Sequence, residues 1–209
     1  MTRIICLANS WKMGDRCIAG INPNTGQWIR PVSDFPDGQI PKPMRLIEGR
    51  EPALLDIMQI PLAQSGRDFG FESENLDILP GKWRKVGRAS RSDLLQFCDR
   101  GEQILHNDSR YVTVPYLQSL PLAERRTLQL VLAEEFSASR ESNKWKGYLV
   151  TSTKQRLRAT ITDPILVESL DDGDSPEAPC FVTVSLSMPW PPPGWEGDDP
   201  CWKLIAGVV

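Results

Sequence analysis

The chain has 209 residues, 40% hydrophobic and 24% charged, which excludes wholesale disorder and suits one large domain or two small ones. The net charge of −3 argues against indiscriminate nucleic-acid binding. However, residues 168–209 carry eight acids and one base, so residues 1–167 carry a net charge of +4. No apolar run approaches the roughly 20 residues of a membrane span, and no signal peptide is evident, so we expect a cytoplasmic protein without a membrane partner.

Short apolar segments between frequent turn residues predict an all-β protein. In the first half of the chain, strands are predicted at residues 3–8, 17–21, 27–32, 54–62 and 82–86. The first of these is nearly all apolar, which indicates burial on both faces. Turn residues at 22–26 join the next two into a hairpin. Residues 33–53 are predicted as a long loop, 64–81 as polar turns and 92–100 as a short helix that begins at the N-cap Ser92.

A second set of short strands follows in the second half, predicted at residues 111–114, 128–135, 145–150, 155–162, 181–186 and 202–209. Residues 128–135 fit either a helix or a strand, and their alternating leucines favour a strand. Strand periodicity places Arg156, Arg158 and Thr160 on one face of the predicted hairpin. Residues 168–179 are predicted as an acidic loop. About five strands per half suit two tandem five-stranded barrels, at residues 1–110 and 111–209, although sandwiches share these strand signals.

No catalytic or metal-binding constellation is visible in the sequence. The five cysteines are widely spaced and form no CxxC pair, so neither a disulfide framework nor a zinc knuckle is expected, and reduced thiols are predicted. His106 is the single histidine, which is more typical of a structural or surface residue than of a metal or catalytic site. No nucleophile elbow or phosphate-binding glycine loop is present. The sequence therefore favours binding over catalysis, without metal or cofactor.

Three N-terminal segments carry a family resemblance. They are ICLANS at residues 5–10, RCIAG at 16–20 and GQWIRPVS at 26–33. Together they resemble a bacterial family of dual OB-fold domain proteins. The resemblance implies two tandem OB-like barrels and a nucleic-acid-binding or nucleotide-binding role, and it carries no catalytic residues over to this chain.

Two acid-free stretches combine cations with aromatic residues. The first contains Lys82, Trp83, Arg84, Lys85 and Arg88, and the second contains Lys144, Trp145, Lys146, Lys154, Arg156 and Arg158. Cations attract phosphates and aromatic faces stack on bases, so these stretches predict binding of a single-stranded or RNA-like ligand. The alternative is that they are solvated strand edges, with the two tryptophans anchoring the core.

Two further groups near the N-terminus have both a binding and a structural interpretation. Trp28 and Arg30 share a strand face and could pair base stacking with a phosphate contact, or could pack the barrel and its rim. The second group is predicted in the turn before the second strand, where it would form either a phosphate-binding turn or only a polar turn. This group consists of Asn9, Ser10, Lys12 and Arg16.

Two other functions stay open at this point. Acidic loops and the PWPPPGW segment at residues 189–195 would suit a protein-interaction module, although the same segment could simply cover one end of a barrel. A nucleotide sensor with a pocket between the barrels is the third hypothesis. The sequence does not determine the oligomeric state.

Overall fold

Strands form most of the regular structure in the computed structural model, which describes residues 1–99 and 101–209. The strands are β1 (Thr2–Lys12), β2 (Asp15–Ile21), β3 (Trp28–Val32), β4 (Asp56–Ile60), β5 (Asn75–Asp77), β6 (Arg84–Arg88), β7 (Tyr111–Thr113), β8 (Leu128–Glu141), β9 (Lys144–Thr151), β10 (Arg156–Ile161), β11 (Cys180–Leu186) and β12 (Pro200–Val208). The α-helices of the described residues are short: α1 (Lys42–Arg45), α2 (Val114–Ser119) and α3 (Pro164–Asp171). Two 3-10 helices span Ser92–Phe97 and Leu122–Glu124. The predicted all-β fold class is confirmed.

The chain divides into two units. The first unit comprises Met1–Asp68, Glu74–Phe97 and Val209, and the second comprises Phe69–Ser73 and Cys98–Val208. Each unit has its own hydrophobic cluster. No helix of residues 1–99 and 101–209 has the length and apolar character needed to cross a membrane.

The first unit is a curled half-barrel sheet with the strand order β5-β3-β2-β1-β4-β6. Neighbouring strands are antiparallel except β3 and β5, which run parallel. The predicted hairpin of β2 and β3 and the predicted two-sided burial of the first strand are confirmed, since Ile4–Ala8 are all buried. Gly20 is needed where β2 pairs with β1 opposite Cys6, because a Cβ there would lie 2.0 Å from the carbonyl oxygen of Ile5.

The second unit contains a closed five-stranded barrel. Strands β8, β9 and β10 form an antiparallel meander, β10 pairs in parallel with β12, β12 pairs antiparallel with β11, and β11 returns to β8. Apolar side chains such as Val131, Leu149 and Ile205 fill its interior. Strand β7 extends the sheet beside β12. This connectivity is the five-stranded Greek-key barrel of the OB fold, and the prediction of two OB-like barrels is confirmed.

Several local predictions were incomplete. Residues 168–179 were expected to be a loop, yet α3 runs to Asp171, because Asp163 caps it by accepting hydrogen bonds from two backbone N–H groups and Pro164 starts it. Strand β5 lies within the predicted polar turns and is held by its pairing with β3. The predicted 92–100 helix is a 3-10 helix that ends at Phe97, and Arg100 lies outside the described residues.

Candidate nucleic-acid interface

Strands β9 and β10 of the second unit form a hairpin with cations on its outer face. The register places Arg158 opposite Tyr148 and Thr160 opposite Lys146. Along β10, Leu157, Ala159 and Ile161 are buried while Arg156 and Arg158 are exposed, which confirms the predicted alternation. We call Lys144, Lys146, Arg156 and Arg158 the outer cationic face.

Two members of the outer cationic face are already hydrogen-bonded. The Lys146 Nζ donates to the Thr160 hydroxyl at 2.5 Å. The Arg158 guanidinium donates to the carboxylate of Glu141, and both side chains are well exposed. Because that ion pair is exposed to water, it holds Arg158 only weakly, and the guanidinium can exchange Glu141 for another anion.

Positive charge is concentrated on this surface. Partial burial lowers the pKa of Lys146 below its usual value, and the positive charges of Lys144, Arg158 and Arg110 lower it further, while Glu141 opposes them. Arg110, which immediately precedes β7, therefore adds a cation near this face. Sequence reasoning missed it, because it lies 34 residues before Lys144 along the chain. Such a surface favours an anionic ligand.

The aromatic side chain predicted to accompany this face lies elsewhere. Trp145 is half-buried against the core of the second unit, and its indole N–H donates to Asp171 at 2.8 Å. This contact ties β9 to the end of α3, so the structure gives Trp145 a packing role. Tyr148, two residues from Lys146 and half-exposed, is the aromatic residue on the outer side of β9. Lys154 is exposed in the turn between β9 and β10.

The first basic stretch is arranged differently, at the sheet edge formed by β6. Lys85 and Arg88 both pair with the buried carboxylate of Asp56, at 2.6 Å and 3.2 Å. Trp83 is 5% exposed and belongs to the core of the first unit. Lys82 and Arg84 are exposed. A basic, bulged edge strand is a common device against strand pairing, and these contacts fit that structural interpretation.

Trp28 and Arg30 lie on β3 of the first unit, two residues apart. Arg30 is only 2% exposed, and its guanidinium donates to Asn75 Oδ1 at 3.3 Å while its backbone N–H donates to the Glu74 carbonyl. Arg30 therefore joins β3 to the segment of β5, and Trp28 is half-buried beside it. Their placement fits a structural role more readily than an exposed ligand contact.

The turn predicted to hold Asn9, Ser10, Lys12 and Arg16 was placed wrongly. The actual two-residue turn is Met13–Gly14, with φ of 47° and 82°. The first three predicted turn residues belong to β1 and the fourth to β2. Asn9 donates to the Pro52 carbonyl at 2.8 Å, Ser10 is buried and the Arg16 guanidinium lies over the Trp11 ring.

The sequence model of a family described as the dual OB-containing domain matches residues 2–208. The chain belongs to the dual OB-containing domain family. No curated protein and no solved structure matches the chain. In this dual OB-containing domain, β9 and β10 are the second and third strands of the closed barrel, which is the face that OB folds use for oligonucleotides and oligosaccharides. The outer cationic face lies on these two strands.

Proposed function

We propose that this dual OB-containing domain binds nucleic acid, with a preference for single strands, through the outer cationic face of the second unit. The observation that supports this most strongly is the alternation on the β9–β10 hairpin, which collects Lys144, Lys146, Arg156 and Arg158 on the outer side of a closed OB barrel. Phosphate contacts by such cations supply most of the affinity in non-specific nucleic-acid binding.

Strand geometry supports the preference for a single strand. Cations two residues apart on one β-strand, such as Arg156 and Arg158, are about 7 Å apart, which suits successive phosphates of an extended chain. Tyr148 lies among these cations and offers a ring on which an unpaired base can stack. A duplex would hide its base faces and present only its phosphates.

The proposal is tested by fluorescence anisotropy with labelled single-stranded RNA, single-stranded DNA and duplex at low salt. Lys144→Ala/Arg156→Ala removes two exposed cations from the outer cationic face. Lys82→Ala/Arg84→Ala is the matched control, because it removes two exposed cations from the first unit and changes the net charge equally.

We expect the first variant to bind single strands about tenfold or more weakly, since the removal of a cation that neutralises a phosphate weakens binding most at low salt, while the control stays within about twofold of the unmodified chain. Circular dichroism checks that both variants are folded. Equal weakening in the two variants would contradict the proposed location, and no binding by the unmodified chain would contradict the function.

A further inference from the structure

The loop between β11 and β12, residues 187–199, is fixed at its base by the strands that it joins. The Trp190 backbone N–H donates to the Pro200 carbonyl at 3.0 Å, and the Trp202 indole N–H donates to the Trp190 carbonyl at 2.9 Å. Ser187 and Trp202 exchange two more hydrogen bonds, each 2.8 Å long. We call this segment the Trp190 loop.

An aromatic cluster fixes the far part of the Trp190 loop. The Trp195 ring centroid lies 5.2 Å from that of Tyr111 and 5.6 Å from that of Trp202, both in edge-to-face geometry. The Trp195 indole N–H donates to the Asp198 carbonyl at 3.0 Å. Edge-to-face aromatic packing adds to the burial energy of the rings, so the loop conformation is well determined before any partner arrives.

Trp190 itself is not covered by this packing. Its side chain is 62% exposed, while its backbone is held on both sides and prolines flank it at 189 and 191–193. A tryptophan on a rigid frame loses little conformational entropy on binding, and tryptophan is among the residues that most often dominate the energy of protein interfaces. The exposed ring is therefore suited to a partner.

The charge of the loop decides which kind of partner fits. Residues 187–199 contain no Lys, Arg or His, while Glu196, Asp198 and Asp199 are all exposed. These acids repel phosphates, and they attract cations, as does the face of an indole ring. We propose that the Trp190 loop docks a positively charged segment of a partner protein, with an Arg or Lys side chain over the Trp190 ring. No residue of the Trp190 loop belongs to the outer cationic face, and this inference goes beyond the proposed nucleic-acid binding.

The probe is a short labelled peptide with arginines spaced by glycine and serine, compared with the same peptide carrying glutamates. Two variants test the loop, Trp190→Ala and Glu196→Gln/Asp198→Asn/Asp199→Asn. Trp11→Ala is the matched control, since Trp11 is 49% exposed in the first unit. Trp190→Ala removes only an exposed ring, and the triple acid-to-amide variant leaves that ring in place. If one of the two variants fails to fold, the other still tests the loop.

We expect the arginine peptide to bind, the glutamate peptide not to bind, and each loop variant to weaken binding about tenfold while Trp11→Ala stays within about twofold. Lys144→Ala/Arg156→Ala should leave peptide binding unchanged, which separates this proposal from the nucleic-acid proposal. Unchanged binding in Trp190→Ala would overturn the proposal. If Trp190→Ala lost RNA binding, the loop would contact nucleic acid. If Trp190→Ala lost a dimer that the unmodified chain forms in sedimentation, the loop would mediate self-association. Either outcome would overturn the proposal.

Discussion

Lys203 on β12 provides a sharp test of the second unit's packing. The residue is 3% exposed, and its ammonium group donates to the carbonyl oxygens of Ile104 and Asn107, each at 2.5 Å, and to the Asn107 side-chain oxygen at 3.1 Å. Burial lowers the pKa of Lys203 to about 8, with Asp108 opposing the shift. The side chain thus fastens the segment before β7 to the barrel while bearing a desolvation cost.

The change Lys203→Met removes both the hydrogen bonds of the ammonium group and its desolvation cost, and only the desolvation cost depends on pH. The variant leaves the buried carbonyl of Ile104 and two half-buried acceptors on Asn107 without their donor, and an unsatisfied buried acceptor costs about 1–3 kcal/mol. Against this, the unmodified chain carries its charge at a pKa lowered from 10.5 to about 8, a penalty of about 3 kcal/mol below pH 8. Water can reach the two acceptors on Asn107, so the cost of the lost hydrogen bonds lies at the low end of this range, at about 3 kcal/mol in all. The lost hydrogen bonds and the removed charge penalty then largely offset each other at neutral pH, and the variant is only modestly less stable there.

The desolvation cost of Lys203 disappears as the pH rises, because the amine loses its charge. Between the folded pKa of about 8 and the unfolded value of 10.5, the unfolded chain binds a proton that the folded chain does not, so folding gains stability with rising pH. Urea unfolding followed by tryptophan fluorescence near pH 8 and near pH 10.5 should show the stability of the unmodified chain growing, relative to Lys203→Met, by up to about 3 kcal/mol. A difference that is constant or that shrinks with rising pH would refute this account of Lys203.

Three further predictions concern folding. Gly20→Ala should lower the free energy of unfolding by about 3 kcal/mol in urea melts, because its Cβ would meet the backbone of Ile5; unchanged stability would contradict this close approach of β2 to β1. Asp163→Ala should lower the free energy of unfolding by about 1–2 kcal/mol through loss of the α3 cap, while Asp163→Asn should keep most of that stability. Equal destabilisation by the two changes would exclude capping. Burial lowers the pKa of His106, as do the charges of Arg126 and Lys203, while the hydrogen bond to the Arg126 carbonyl opposes the shift. The free energy of unfolding should therefore fall as the pH drops below 6.5, and in His106→Gln this fall should be smaller. Identical stability-against-pH profiles for the two chains would refute this account of His106.

Local periodicity made much of the barrel predictable. The outer placement of Arg156 and Arg158 follows from a period of two, which is visible in the sequence. Strand β5 was not predictable, because three residues in a polar stretch become a strand only through pairing with β3, more than 40 residues away. The start of α3 was visible in the pair Asp163–Pro164, but the acids that follow favoured a loop.

The candidate site also combines features set by local periodicity with features set by long-range strand pairing. Trp145 alternates with Lys144 and Lys146, so a period of two puts it on the opposite face, with the buried Leu149. The prediction that Trp145 stacks on a ligand beside these cations overlooked this alternation. The pairing of Lys85 with Asp56 depends on the β4–β6 register and is not written in either segment alone. Contacts that depend on tertiary structure, rather than local pattern, therefore decide which cations stay available to a ligand.

The most direct test of the central claim is the salt dependence of single-stranded RNA binding by the unmodified chain and by Lys144→Ala/Arg156→Ala. Each phosphate neutralised on a single strand contributes about −0.7 to the slope of log affinity against log salt. We predict that removing two contacting cations makes the slope shallower by about 1.4, while Lys82→Ala/Arg84→Ala keeps the original slope. An unchanged slope in Lys144→Ala/Arg156→Ala would show that the outer cationic face does not contact the phosphates.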